Sequence, residues 1–269
     1  GYNLTGLFIG SEGTLGCFTE LTLKVHGLPE YVMAARAVFQ TVDDAVNAVV
    51  DVRQAGIPVA RAELVDEQTM HVVNEHSQTD FPVKPTLLFE FRGNQSGLME
   101  DVRLTKQILD DHNCRDFIYE TDHAKRNQLW KVRHNMAYAF IHTYRGRKLM
   151  ATDVCVPISE LAGAIYHARK ALFKSGIPGG IAGHVGDGNF HVTLMIDTNN
   201  AEEIARTKQL NDELVKYAIS RGGTCTGEHG VGLGKKQFQR LEHGAAFDYM
   251  KKIKDVLDPN GILNPGKIF

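Results

Sequence analysis

Asp187 and Gly188 stand between two apolar runs, at about 179–186 and 189–197. A two-residue Asp-Gly connection favours a type I′ hairpin, because both central positions need positive φ. The runs are therefore read as paired antiparallel strands. Counting outward from the turn pairs Gly186 with Asn189, Val185 with Phe190 and His184 with His191. The two histidines then face each other on one side of the sheet, with Cβ atoms roughly 4.5–5.5 Å apart. Imidazoles at that spacing can share one divalent metal; the plain alternative is a surface histidine pair on an ordinary hairpin.

The flanking periodicity builds a larger unit around this hairpin. A strand at 149–156 ends at Pro157, and a helix entered at Ser159 stops at Gly176. A helix at about 201–220 ends at Gly222-Gly223, and Thr224-Cys225-Thr226 reads as a short strand. The order β-α-β-β-α-β is the ferredoxin-like signature. Residues 31–144 read as a looser copy, with strands at 31–39, 58–65, 85–91 and 117–119. Its helices are expected at 43–55, 66–76, 96–111 (capped by Ser96) and 123–144. Both halves are expected to form one α+β antiparallel sheet covered by helices on one face. Upstream, Gly6, Gly10, Gly13 and Gly16 precede an alternating stretch, Phe18–Val25, that reads as a strand. One strand cannot bury a core, so 1–27 is expected to be the end of a separate domain, 28–255 the main domain and 256–269 a tail.

Composition narrows the functional classes. A chain of 269 residues with 43% hydrophobic and 23% charged residues is ordinary globular material. Lys+Arg 30 against Asp+Glu 32 leaves a formal charge of -2, so the basic excess that non-specific nucleic-acid binding needs is missing. No apolar run approaches the roughly 20 residues that span a bilayer. Cys17, Cys114, Cys155 and Cys225 lie far apart with no C-x-x-C, and read as reduced thiols.

A second segment strengthens the metal reading. Glu228 stands beside His229 among Gly227, Gly230, Gly232 and Gly234, a run suited to close backbone approach. The short strand before Glu228 belongs to the same sheet as the hairpin. Glu228 can therefore complete a two-His, one-carboxylate set with an open position; the plain alternative is a flexible solvated loop. The set does not match H-E-x-x-H. A hydrolytic site would need a further carboxylate base, and only Asp187, at the turn, is spare.

Three motifs together carry a family resemblance. They are His184-x-Gly-Asp-Gly-Asn-x-His191, Gly227-Glu-His-Gly-Val-Gly232 and Leu257-Asp-Pro-Asn-Gly-Ile-Leu-Asn-Pro-Gly-Lys267. The chain resembles the FAD-linked 2-hydroxy-acid dehydrogenases of the vanillyl-alcohol-oxidase-type flavoproteins. Within them the runs Trp130-Lys-Val-Arg133-His134-Asn135, Ala151-Thr-Asp-Val-Cys-Val-Pro-Ile-Ser159 and Thr224–Gly230 are most similar to the D-lactate dehydrogenase (cytochrome) branch. The hydroxyglutarate branch carries a hydroxyl residue where this chain has Ala137 and Asn where it has Thr193.

The resemblance implies a substrate- and metal-binding cap domain and an FAD-dependent oxidation of a D-2-hydroxy acid. It implies that His184, His191 and Glu228 hold zinc or manganese, that His229 is the general base, and that Arg133 and Lys148 bind the substrate carboxylate. It implies flavin contacts from Gly10, Ser11, Glu12, Gly13, Thr14 and Gly16, and from Asn264 in a tail returning toward the flavin. The expected electron acceptor is a cytochrome, a quinone or an electron-transfer flavoprotein. The expected location is cytoplasmic or at the inner membrane in a bacterium, mitochondrial in a eukaryote. No G-x-G-x-x-G fingerprint follows a strand, so the chain alone is not expected to hold FAD tightly or turn over. D-2-hydroxyglutarate or glycolate oxidation, and a stand-alone module that binds metal or substrate without catalysis, remain the alternatives.

Overall fold

Short polar side chains open the helices of the computed structural model, which describes residues 1–269. Thr41 accepts the Asp44 N–H at the start of α2 (Val42–Gln54), and Asp66 accepts the Thr69 N–H at the start of α3 (Glu67–Ser77). Asn94, not Ser96, caps α4 (Gln95–Asp111) by accepting the Gly97 N–H at 2.8 Å. Asp122 opens α5 (His123–His134) and Asn200 opens α8 (Ala201–Ser220). Each cap satisfies a backbone donor that the first helical turn leaves free. The long helix expected over 123–144 breaks at Asn135 and resumes as α6 (Met136–Thr143). The remaining helices are α1 (Leu4–Phe8), α7 (Leu161–Ser175), α9 (Gln239–His243) and α10 (Ala246–Leu257).

The strands are β1 (Tyr31–Val38), β2 (Val59–Val65), β3 (Thr86–Gly93), β4 (Asp116–Glu120), β5 (Lys148–Ala151), β6 (Val154–Cys155), β7 (Gly179–Gly183) and β8 (Asn189–Ile196). They form one antiparallel sheet in the order β4-β1-β3-β2-β7-β8-β5, with β6 also on β8. The first half thus has the ferredoxin-like order 4-1-3-2, with α3 inserted between β2 and β3. In the second half the expected strand at 149–156 is split between Ala151 and Val154, and the strand at 224–226 shrinks to one bridge, Cys155 to Thr224. Within the sheet the halves join where β2 pairs β7, through Leu64 with Gly183 and Val65 with Ala182.

Helices cover both faces of the sheet, not one. On one face α2, α4, α7 and α8 enclose the larger core, including Phe39, Val49, Phe89, Phe91, Ile165 and Leu214. On the other α3, α5 and α6 enclose a smaller core around Met70, Trp130, Phe140 and Met195. The inserted helix and the α5–α6 pair supply the second layer. Phe18–Val25 makes no strand: it pairs with nothing in the sheet, and Phe18, Leu21, Leu23 and Val25 are exposed.

Asp66 locks the seam between the halves. Its carboxylate accepts the Thr69 N–H at 2.8 Å and, across the seam, the Ile181 N–H at 2.6 Å. Burial pushes the carboxyl up to about 6, against the opposing pull of these hydrogen bonds. The folded state therefore holds a proton that the unfolded chain releases near 3.8. Stability from this site is fully present below that value and is lost as pH rises through about 6. The melting temperature of the wild type is expected to fall relative to Asp66→Asn across that window and to run parallel to it at higher pH. A difference that stays constant through the window would show that Asp66 titrates as an ordinary carboxylate.

Candidate metal and substrate site

The Asp-Gly connection is longer than a two-residue turn. Ala182 pairs with His191, so His184 and His191 are not direct partners across the hairpin. Residues Val185–Asp187 form a 3-10 turn, closed by the Asp187 N–H on the His184 carbonyl at 3.0 Å. Val185, expected opposite Phe190 in the ladder, is instead buried in the larger core within this turn. Gly188, at φ +81, lies so close to Val156 that a Cβ would meet that carbonyl at 2.0 Å.

The histidines converge nonetheless. Extending the β2–β7 register by one residue sets His184 opposite Glu63, two residues along from the Val65–Ala182–His191 row and so on the same face. The two rings lie 6.0 Å apart between centroids. Glu228 reaches between them, its Oε1 lying 3.0 Å from His191 Nε2 and 3.3 Å from His184 Nε2. One donor atom from each of the three residues falls within 4.8 Å of the others. Two imidazoles and one carboxylate on this spacing suit a divalent transition ion.

Each histidine is oriented by its other nitrogen. His191 Nδ1 lies 3.0 Å from the Thr152 carbonyl, and His184 Nδ1 lies 2.5 Å from Glu63 Oε1. A carbonyl can only accept, so His191 is protonated at Nδ1 and turns the Nε2 lone pair to the cluster. Burial holds the His191 pKa below the ordinary histidine value, whereas the hydrogen bond to Glu63 raises that of His184.

The loop carrying Glu228 is held from outside by Asp153. One oxygen of that carboxylate accepts the Gly227, Glu228 and His229 N–H groups at 2.9, 3.2 and 3.1 Å, and the Thr226 hydroxyl at 2.6 Å. The other accepts the Asn189 amide at 2.8 Å, and Lys235 Nζ approaches Asp153 at 3.3 Å. Burial alone would raise the Asp153 pKa, but the Thr226, His229 and Asn189 hydrogen bonds and the Lys235 charge outweigh it. They hold the carboxyl far below the usual range. Gly227 is required here, since a Cβ would meet Asn189 Nδ2 at 1.8 Å. Neither Asp153 nor Glu63 stood out as a site residue in the sequence.

The other expected site residues divide. His229 lies beside the cluster, its ring 5.3 Å from that of His191 and its side chain 62% exposed, open to a ligand. Arg133, in the last turn of α5, sends Nη2 to 3.3 Å from His184 Nε2. Lys148 is not brought to the site. Leu149 packs on the smaller core and Met150 on the larger, so alternation turns Lys148 to the face opposite His191.

The 10–16 turn docks behind the Glu228 loop. Glu12 accepts the Val231 and Gly232 N–H groups at 2.6 and 2.9 Å, so its carboxylate is committed to that loop. Asn264 donates its amide to the Glu12 carbonyl at 2.5 Å, and Lys254 donates to the Thr14 carbonyl at 2.8 Å. The tail does return to the turn. Gly10 and Gly13 take positive φ, and Ser11 Oγ is buried with no partner. An adjoining cavity of about 410 Å³ is lined by Leu7, Ile9, Ser11, Thr14, Met250 and Ile253; it lies behind the loop, not over the histidines.

Comparison with known proteins decides the family. The family described as FAD linked oxidases, C-terminal domain, matches residues 28–268. The chain belongs to that family. Its similarity to full-length relatives is substantial: it is 43% identical to the probable mitochondrial D-lactate dehydrogenase of Danio rerio, over 100% of this chain and 54% of that protein. It is 41% identical to the mitochondrial D-lactate dehydrogenase [cytochrome] of Arabidopsis thaliana, over 100% of this chain and 47% of that protein. The chain thus spans about half the length of these curated relatives. The fold matches that of substrate-bound p-cresol methylhydroxylase with a TM-score of 0.67 at 15% identity, over 89% of this chain and 53% of that one. As an FAD-linked oxidase domain, the chain contains no helix long and apolar enough to cross a membrane.

Proposed function

We propose that this chain is the substrate- and metal-binding part of an FAD-dependent dehydrogenase that oxidises D-lactate or a related D-2-hydroxy acid to the 2-oxo acid. The convergence of His184, His191 and Glu228 beside the exposed His229 carries the reading. The names of the Danio and Arabidopsis relatives support the substrate class, and the latter supports a cytochrome as acceptor.

The donor set fits a zinc or manganese ion held by His184, His191 and Glu228. Such an ion, when bound, supplies Lewis acidity toward the 2-hydroxyl and positive charge toward the carboxylate. FAD, when bound, supplies the acceptor for the hydride that leaves C2. The orphaned Ser11 hydroxyl and the positive-φ glycines fit a ligand contact at the 10–16 turn. His229 takes the hydroxyl proton at its imidazole. Arg133 offers its Nη groups to the carboxylate, a planar fork that orients C2. The O–H bond thus gives its proton to His229 as the C–H electron pair leaves, and the C2–O double bond forms.

Ala137 and Thr193 supply a distal carboxylate with less hydrogen bonding than the hydroxyl and Asn of the hydroxyglutarate pattern, and a poorly paired buried carboxylate binds weakly. The purified full-length enzyme that contains this chain is expected to carry one zinc or manganese per chain and to show a higher kcat/KM for D-lactate than for D-2-hydroxyglutarate with an artificial electron acceptor. The reverse preference would move the substrate to the dicarboxylate branch. Failure to oxidise any D-2-hydroxy acid would sink the proposal.

A further inference from the structure

We infer that Glu63 is a positioning residue that fixes both a metal ligand and the substrate fork, an inference that rests on the metal reading above. Glu63 lies on β2, in the half of the sheet that carries none of the three ligands. Along its strand Ala62 and Leu64 turn into the larger core, so Glu63 turns to the opposite face, where a carboxylate would ordinarily meet solvent. It is instead only 5% exposed. A buried carboxylate is costly unless charges and donors compensate it.

Both oxygens are compensated by the site itself. Oε1 lies 2.5 Å from His184 Nδ1, and Oε2 accepts Arg133 Nε at 2.8 Å. The first contact selects the His184 state that carries its proton on Nδ1. The Nε2 lone pair is thereby aimed at Glu228 Oε1, 3.3 Å away, on the side where the metal would sit. The second contact uses the stem nitrogen of the guanidinium and turns its terminal nitrogens toward the cluster. Nη2 already points into the cluster, 3.3 Å from His184 Nε2. A single carboxylate therefore sets the direction of one metal ligand and of the arginine that would grip the substrate.

A His–carboxylate partner of this kind typically changes metal affinity by 10–100-fold. Glu63→Gln keeps the size of the side chain and removes the charge. In the purified protein, zinc titrated against a competing chelator is expected to bind Glu63→Gln roughly 10–100-fold more weakly than wild type. In the full-length enzyme the KM for the hydroxy acid is expected to rise with it, and the melting temperature serves as the control for folding. A Glu63→Gln protein that is folded and binds zinc as tightly as wild type overturns the inference.

A second measurement needs no variant. In long-range ¹H–¹⁵N spectra of the wild type, His184 is expected to carry its proton on Nδ1 and to show the zinc-induced shift on Nε2. Zinc on Nδ1 of His184 overturns the inference even if Glu63→Gln fails to fold. Wild-type protein that takes up no zinc at all overturns the metal reading beneath it, and is told apart from the other outcomes because the wild type itself is silent.

Discussion

In the full-length enzyme, His229→Ala is expected to lower kcat by roughly 10²–10⁴-fold while metal content stays at the wild-type level. His184→Ala is expected to lose metal and activity together. The contrast follows from position. His184 and His191 present Nε2 to Glu228 Oε1 at 3.3 and 3.0 Å and are each oriented through Nδ1. His229 stands outside this triangle, with Nε2 at 3.6 Å from the same oxygen and a side chain mostly open to solvent. It is placed to meet a proton on a bound ligand and is not braced as a ligand itself. Elemental analysis of the two variants beside steady-state kinetics separates the roles. Metal lost from His229→Ala and retained by His184→Ala would exchange them.

Asp153→Ala is expected to cost about 3–5 kcal/mol of stability, the usual penalty for removing one partner of a buried ion pair. The Lys235 ammonium, 14% exposed, would lose its carboxylate, and the Gly227, Glu228 and His229 N–H groups would lose their acceptor. Activity should fall as well, because the same carboxylate sets the path of the backbone that carries Glu228 and His229. The folded pKa of Asp153 is depressed, so its contribution is present above the ordinary carboxylate range and is lost only as pH falls far into acid. Urea unfolding at neutral pH measures the loss directly. A change within about 1 kcal/mol of wild type, the scale of a single ordinary hydrogen bond, would mean that water takes over the role of Asp153.

Asp153 and Glu63 show what a linear sequence conceals. The helix at about 201–220 is legible because its apolar period runs into a Gly-Gly stop, and the structure adds Asn200 as its cap. The ferredoxin-like order was legible for the same reason. The layer of helices on the second face was not, since periodicity reports that a helix is amphipathic but not which side of a sheet it covers. Asp153 left a trace, a charge within the apolar run 149–156, where burial of a carboxylate demands partners. Glu63 left none: between Ala62 and Leu64 it has the pattern of a solvent-facing strand residue, and only the arrival of α5 and the loop after β7 encloses it. The pairing of His184 with His191 is off by two residues, because the Asp-Gly rule is local and does not anticipate the 3-10 turn over Val185–Asp187. Lys148 is expected at the carboxylate from the resemblance, which carries no information on the register that decides its face. Phe18–Val25 shows that alternation indicates a strand only where an edge is present to receive it.

The hold of Glu12 on Val231 and Gly232 bears on how such proteins can be recombined. The family match begins at residue 28, an inviting crossover point for exchanging substrate-binding modules between relatives. A chimera joined there would draw Glu228 and His229 from one parent and the carboxylate that anchors the end of their loop from the other. Residues 10–16 and 227–232 therefore form one heritable unit, although more than 200 positions of chain, on the order of a whole domain, lie between them. Crossovers that keep those two segments together should yield working hybrids more often than crossovers drawn at the domain border.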